Sequence, residues 1–351
     1  MYGYTKFYNQ KKAFIKEHIY DIFPKDDYVL VESPEVEHYR HKTIFDLNQH
    51  QNHDFGFKIS PVSFQYIMDI MSEIITELRD FKRCWKNIHI KTNSHNEVLI
   101  KFEIVFRGKY QIYEFKSYHE YIKHKLIERT SRFCRIKYIG YQYNINNNKI
   151  NKFLKHIVIH GENKLIQEGT IMNKKIKFVC GIDTFFQGNI YIYEKFYEYI
   201  YKQLAKCRNI NIVSLGDDSS NICTMIKKIN NRLNLYSIFH CSICHDNCLP
   251  LMKENNVTFS TSIENYDFLK IKDISLIINP GRKGMKSEEI VLINKSPNIK
   301  HIIYMACNLK SFHSNYDSLK NHYVINELMS FDQFPFVKHG SENIFTLSRK
   351  T

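Results

Sequence analysis

Cys307 follows the apolar run Ile302–Met305 and Ala306. A thiol at the end of a buried strand is either a nucleophile or a structural core residue, since free cysteine is among the most buried residue types. A second apolar run ends at Ile278 and leads into Asn279-Pro280-Gly281-Arg282-Lys283-Gly284. Arg282 there is either a bidentate donor to a nucleotide or phosphate, or a solvated surface residue. Near the end of the chain stand Phe331-Asp332-Gln333-Phe334-Pro335-Phe336, His339 and Glu342, the last a candidate general base or a surface acid. Cys241-Ser242-Ile243-Cys244-His245 has the form of a haem-attachment pattern, and with Cys248 it offers the residue types of a zinc site. Haem attachment needs a secretory context, no second ligand pair stands elsewhere, and Asn247–Glu254 has the pattern of a helix; the expectation is no bound metal.

These side chains need a scaffold, and 351 residues with 43% hydrophobic and 25% charged content suffice for two packed domains. In the first half, Phe7–Ile22 reads as a basic helix ending before Pro24. Ser60–Phe81 reads as a second helix, capped by Ser60 or Ser63, with an apolar stripe from Ile67 to Leu78. Ile88–Lys91, Val98–Phe106 and Tyr110–Phe115 read as strands of a mixed α+β module with antiparallel pairing. After about residue 170 the pattern changes to apolar runs alternating with helical stretches: strand Ile210–Leu215, helix Ile222–Asn231, strand Leu235–Phe239, helix Asn247–Glu254, strand Ile274–Ile278, helix Glu288–Asn294, strand Ile302–Met305. That alternation predicts an α/β fold with a parallel doubly wound sheet, which binds ligands beyond the carboxyl ends of its strands, here past Leu215, Ile278 and Met305.

Lys and Arg total 50 against 36 Asp and Glu, a formal charge of +14. The excess favours a polyanionic partner, or else reflects a genome bias towards Lys, Ile, Asn, Tyr and Phe. No apolar run reaches the ~18–20 residues of a membrane span. The first residues lack a signal-peptide core, and nine scattered cysteines fit free thiols in a reducing compartment. The expectation is a cytoplasmic protein with no membrane association and no protein partner implied.

Several of these segments occur together, in order, in one family. Ser33-Pro34 with His38-Tyr39-Arg40-x-Lys42, Phe185-Phe186-Gln187-x-Asn189, Ala306-Cys307-Asn308, and Asp332-Gln333-Phe334-Pro335 followed by Glu342 resemble elements of the tRNA (uracil-5-)-methyltransferases. The resemblance runs from about Tyr28 to Lys350, towards the shorter, tRNA-directed branch. It implies a Rossmann-like class I methyltransferase domain over residues 173–351, and an N-terminal α+β RNA-binding region over residues 1–172. It also implies S-adenosyl-L-methionine as cofactor and the T-arm of tRNA as partner, with tmRNA left open as a further substrate. The first cysteine is Cys84 and no N-terminal cysteine cluster exists, so no iron–sulfur cluster is expected.

By this resemblance Cys307 adds to C6 of uracil, C5 takes the methyl group, and Glu342 removes the C5 proton as an ionised carboxylate. Placing Glu342 in that role requires a one-residue insertion after Pro335. Gln187 is implied as a contact to the methionine end of the cofactor, Arg282 and Asn279 as contacts to the nucleotide, and Arg40 and Lys42 as contacts to RNA backbone. The chain departs from the family pattern in three places. Aligned on Leu215 and Asn221, the cofactor turn Gly216-Asp217-Asp218-Ser219-Ser220 has Asp218 and Ser220 where the family has glycine; Asp218 is expected in the left-handed region, and Ser220 in the path of the cofactor. His240 stands where a ribose-binding acid is expected. Asn279 replaces an aspartate, keeping donor and acceptor but no charge. These departures favour a second hypothesis, a tRNA-binding or tRNA-folding protein that retains the fold with little catalysis.

Overall fold

The computed structural model describes residues 2–24, 28–47, 58–145, 155–239, 242–260 and 270–350. Numbered along the chain, its elements begin with α1 (Tyr2–Ile19), β1 (Val29–Val31), β2 (Lys42–Asp46), α2 (Val62–Glu77), β3 (Trp85–Thr92), β4 (Glu97–Phe106), α3 (Lys109–Ser117), α4 (His119–Thr130), β5 (Arg135–Ile145), β6 (Lys155–Gly161), β7 (Leu165–Ile171) and β8 (Lys174–Cys180). They continue with α5 (Tyr193–Cys207), β9 (Asn211–Gly216), α6 (Ser219–Ile229), β10 (Asn234–Ile238), α7 (Ser242–Glu254), β11 (Thr258–Ser260), β12 (Ile274–Asn279), α8 (Ser287–Lys295), β13 (Ile299–Ala306), α9 (Leu309–Leu319), β14 (Tyr323–Phe331) and β15 (Glu342–Arg349).

Two compact units result: Met1–Val36 with Glu168–Phe178 and Asp183–Thr351, and Glu37–Gln167 with Val179–Ile182. The division expected between residues 172 and 173 falls in the β7–β8 hairpin. The first 36 residues, expected in the N-terminal region, join the C-terminal unit instead. Two interactions put them there: β1 adds in parallel to β14, with Val29 opposite Met329 and Val31 opposite Phe331, and α1 buries Lys11 against Asp332.

The larger unit is built on an eight-stranded sheet in the order β1-β14-β15-β13-β12-β9-β10-β11. All pairings are parallel except those of β15, which runs antiparallel to both β13 and β14. After α5 the chain enters the centre of the sheet at β9, runs outward to β10 and β11, then returns to β12 on the other side. The reversal leaves a crevice at the carboxyl ends of β9 and β12, as expected for a doubly wound sheet. The central strands are apolar on both faces: β12 is buried throughout, and Val213, Leu276, Ile302 and Tyr304 share a core with Phe312 of α9. Phe312 in turn stacks on Phe345 of β15, with centroids 3.6 Å apart.

The smaller unit carries a five-stranded sheet, β2-β3-β4-β5-β6. Its pairings are antiparallel except β4–β5, which is parallel. A parallel pair needs a crossover, and α3 with α4 supplies it. That corrects the expected strand at Tyr110–Phe115, which is helical. Its aromatic residues have high strand propensity, but Ile112 and Phe115 are buried three apart while Tyr110 and Tyr113 are exposed, a helical period. The second helix begins at Val62 with Pro61 before it, and neither Ser60 nor Ser63 caps it.

The ion pair that holds α1 tests this account. Lys11 and Asp332 are both fully buried; Tyr4 donates to Asp332 at 2.7 Å and Lys11 to the Phe334 carbonyl at 2.8 Å. Burial pulls the Lys11 ammonium below its ordinary value and the Asp332 carboxylate pushes it back. Asp332→Ala is expected to cost about 3–5 kcal/mol in urea unfolding, because a buried ammonium is left uncompensated. Lys11→Met with Asp332→Leu should recover most of the loss; a single-substitution cost below about 0.5 kcal/mol would contradict the assignment.

Candidate active site

Three loops and one strand start meet at the carboxyl edge of the larger sheet. β9 ends at Gly216, whose φ of +126° is in the region glycine favours. A Cβ there would lie 2.1 Å from the Asn279 carbonyl, so the backbones of β9 and β12 approach closely only because residue 216 has no side chain. Asp218 follows as the residue preceding α6, at φ −95° and ψ −1°; the left-handed conformation expected for it is not adopted. It is fully buried and accepts a hydrogen bond from Tyr197 at 2.6 Å. Ser220, expected in the cofactor path, is the second residue of α6. It is buried, with its hydroxyl 3.4 Å from that of Ser237 on β10.

The loop after β12 carries Arg282. Asn308 donates to the Arg282 carbonyl at 3.1 Å and caps α9 by accepting from the Lys310 amide, so one side chain ties this loop to the turn that carries Cys307. Asn315 accepts from the Met285 amide and from Tyr304, both at 2.7 Å, and fixes the far end of the loop. The Arg282 side chain itself is exposed.

Cys307 and Glu342 are brought together by strand register. β13 and β15 pair antiparallel with Ala306 opposite Asn343. The next residues outward are Cys307, just past the end of β13, and Glu342, the first residue of β15. Asn343 locks that end of the ladder: its amide donates to the Ala306 carbonyl at 3.0 Å, and Ser330 donates to its oxygen at 2.7 Å. Between Phe334 and Gly340 the chain forms a closed turn in which the Phe334 amide donates to the Gly340 carbonyl at 2.9 Å.

The electrostatics correct one expectation. Glu342 was expected to be ionised at neutral pH. Burial, with the Asp218 carboxylate adding to it and Arg282 opposing, pushes its carboxyl up to about 8. Cys307 is half-buried, and burial together with Glu342 pushes its thiol up to about 12, again with Arg282 opposing. Asp218, Arg282, Cys307 and Glu342, chosen from four separate segments, therefore act within one field.

Gln187 is 1% exposed and its amide nitrogen has no hydrogen-bond partner among the described residues. Gln333, also 1% exposed, has the same orphaned nitrogen, while its oxygen accepts from the Asn189 amide at 3.2 Å. Asn189 in turn donates to Ser33 at 2.8 Å. The motif segments around Ser33, Gln187 and Gln333 are thus knitted into one buried knot. The Phe334 ring closes it against Gly188, where a Cβ would lie 2.7 Å away. Sequence reasoning missed Tyr197 and Gln333. Gln333 stood inside a recognised motif, whereas nothing marked Tyr197 among 24 tyrosines.

Arg40 and Lys42 belong to the smaller unit; both are half-buried, and the Arg40 guanidinium donates to the Lys42 carbonyl at 2.9 Å. His240 lies outside the described residues, as do Cys241 and the side chains of Cys244 and His245. Among the described residues no group of three or more metal-ligating side chains occurs.

With the geometry in view, residues 249–350 match the family model described as tRNA (Uracil-5-)-methyltransferase. The resemblance read from the motifs holds. The matched segment contains Asn279, Arg282, Cys307 and Glu342; Gln187, Gly216 and Asp218 precede it. A tRNA/tmRNA (uracil-C(5))-methyltransferase of Campylobacter lari is 27% identical over 203 residues, 53% of this chain and 58% of that protein. The chain thus spans little more than half the length of that relative. A mimivirus protein named as a candidate RNA methyltransferase is 24% identical over 379 residues, 94% of this chain and 90% of its own length. The crystal structure of the Pyrococcus abyssi tRNA (uracil-54, C5)-methyltransferase in complex with S-adenosyl-L-homocysteine aligns with a TM-score of 0.68 at 15% identity, over 97% of this chain and 83% of that one. It shows the same fold, a class I methyltransferase sheet.

Two pH experiments follow. Glu342 holds its proton more tightly folded (about 8) than unfolded (4.5), so the folded state binds more protons between those values and stability falls as pH rises through that window. Glu342→Gln should flatten this slope by about one proton's linkage; an unchanged slope would place Glu342 elsewhere. Asp218→Asn removes the neighbouring carboxylate and should move the Glu342 titration, followed by carboxyl-selective infrared or NMR, to lower pH.

Proposed function

We propose that this protein is an S-adenosylmethionine-dependent RNA methyltransferase acting on C5 of uracil, with the T-loop uridine of tRNA as its target. The observation that carries this is the placement of Cys307 and Glu342 one residue beyond the Ala306–Asn343 pair that ends the β13–β15 ladder, each within the other's reach electrostatically. Uracil C5 is weakly nucleophilic until a thiolate adds at C6, and loss of the C5 proton with expulsion of that thiolate completes the exchange. Both tasks need side chains on opposite sides of one short gap, and adjacent antiparallel strand ends supply it.

The residues also fit the cofactor. The buried, unpartnered Gln187 nitrogen is a donor awaiting an acceptor such as a carboxylate, and Gly216 keeps the first turn free of side chain. Gln187, Gly216 and Asp218 would hold the cofactor, with Ser220 acting through α6 and His240 towards the ribose. When bound, S-adenosylmethionine supplies the methyl group as an electrophile. Cys307 holds the pyrimidine at C6, and Asn279 and Arg282 orient it. Glu342 receives the C5 proton; a carboxyl poised near 8 is a stronger proton acceptor than an ordinary glutamate once ionised. Arg282 favours the anionic forms of both partners. Arg40 and Lys42 would contact RNA backbone.

A second reading, a tRNA-binding protein with little catalysis, draws on Asp218 and Asn279, which replace a glycine and an acid of the family pattern. The two separate in one experiment: purified protein, unmodified tRNA and radiolabelled S-adenosylmethionine, with nucleoside analysis. Label is expected in 5-methyluridine, falling by at least about a thousandfold in Cys307→Ala. The rate should rise with pH through about 8 as Glu342 ionises. RNA binding without label would favour the second reading.

A further inference from the structure

The two most exposed aromatic side chains among the large hydrophobic residues described are neighbours. Tyr110 is 77% and Tyr113 70% exposed, and they stand three apart on α3. Residues at that spacing share one face of a helix. The opposite face is anchored: Ile112 and Phe115 are buried, and the Phe115 ring lies 5.2–5.5 Å from the rings of Phe81, Trp85, Phe106 and Tyr141. Gln111 accepts from the Arg107 amide at 2.8 Å and fixes the start of the helix. The tyrosines are thus presented from a rigid base, which folding alone does not require.

Their surroundings are cationic. Arg107, Lys109 and Lys116 are exposed on the same short segment, against the single acid Glu114, which is half-buried. The Lys116 ammonium lies 5.7 Å from the Tyr113 ring centre. Flat aromatic faces interleaved with Lys and Arg match a single-stranded or loop nucleic acid, whose bases stack on rings while its phosphates meet cations. An acidic protein segment would use the cations but leave both rings in water.

We propose that the Tyr110–Tyr113 face of α3, with Arg107, Lys109 and Lys116, is an RNA-contacting surface on which unpaired bases stack. This rests on the reading of the protein as an RNA methyltransferase and adds a docking surface on the smaller unit.

The test uses the full chain and an unmodified tRNA transcript, with affinity followed by fluorescence anisotropy across a salt series. Tyr110→Ala with Tyr113→Ala should weaken binding about tenfold or more, and Tyr110→Phe with Tyr113→Phe should retain it, because stacking needs the ring and not the hydroxyl. Lys109→Ala with Lys116→Ala should make the salt dependence shallower by about 1.4–1.8 in logarithmic slope. Unchanged melting temperatures would keep folding out of the comparison. Affinity unaltered by the alanine pair, or loss by the phenylalanine pair equal to that of the alanine pair, would overturn the proposal. The two readings fail separately. Loss of RNA affinity in a protein that never methylates would sustain the surface and sink the enzyme. Methylation with wild-type affinity in the alanine pair would do the reverse.

Discussion

The antiparallel seating of β15 between β13 and β14 is the constraint on which the site depends. In a wholly parallel sheet, strand ends carrying catalytic groups point the same way, and the groups come from successive loops. Reversing one strand lets its first residue stand beside the residue just past the end of its neighbour. Ala306 opposite Asn343 fixes this, and Cys307 and Glu342 follow from it. A one-residue slip would turn Glu342 to the other face of the sheet. The Asn343 side chain, bonded to the Ala306 carbonyl and to Ser330, opposes that slip. The turn from Phe334 to Gly340 is closed by the Phe334 amide donating to the Gly340 carbonyl just before the ladder begins.

The same edge explains the electrostatics. Two carboxyls, Asp218 and Glu342, are buried within each other's field, and the thiol of Cys307 shares it. Beyond burial, Asp218 raises Glu342 and Glu342 raises Cys307 towards the protonated form, and Arg282 opposes both. Glu342 and Cys307 thus rest protonated near neutral pH, with the Glu342 base within about a unit of working conditions, where proton transfer in either direction is least hindered. Burial is the larger cause, and a glycine at position 218 would leave it opposed by Arg282 with no carboxylate adding to it.

Much of this was legible in the sequence, and the limits have physical causes. Apolar runs of four to six residues alternating with helical stretches gave away β9, β10, β12 and β13, since strands buried on both faces leave little other pattern; the short edge strand β11 carries no such run. Cys307 and Glu342 came from motif order, as did Gln187. What the sequence did not reveal is which motif residues bond to each other. Asp332 and Gln333 looked like neighbours of chemistry, yet Asp332 holds Lys11 of α1, and Asn189 links Ser33 to Gln333 across more than 140 residues. The raised carboxyl of Glu342 depends on burial and on Asp218, neither of which a linear string displays. The strand expected at Tyr110–Phe115 failed because aromatic content was weighed above the three-residue spacing of its buried positions.

The central claim is that Cys307 attacks C6 within reach of Glu342. It is tested most directly with tRNA in which 5-fluorouridine replaces uridine. Fluorine at C5 cannot leave as a proton, so a thiol that has added to C6 cannot be expelled after methyl transfer and stays bonded to the RNA. Incubation with this RNA and S-adenosylmethionine, then nuclease and protease digestion and mass spectrometry, should give one cross-linked peptide, joined through Cys307. An adduct on another cysteine, or none from protein that methylates ordinary tRNA, would contradict the account.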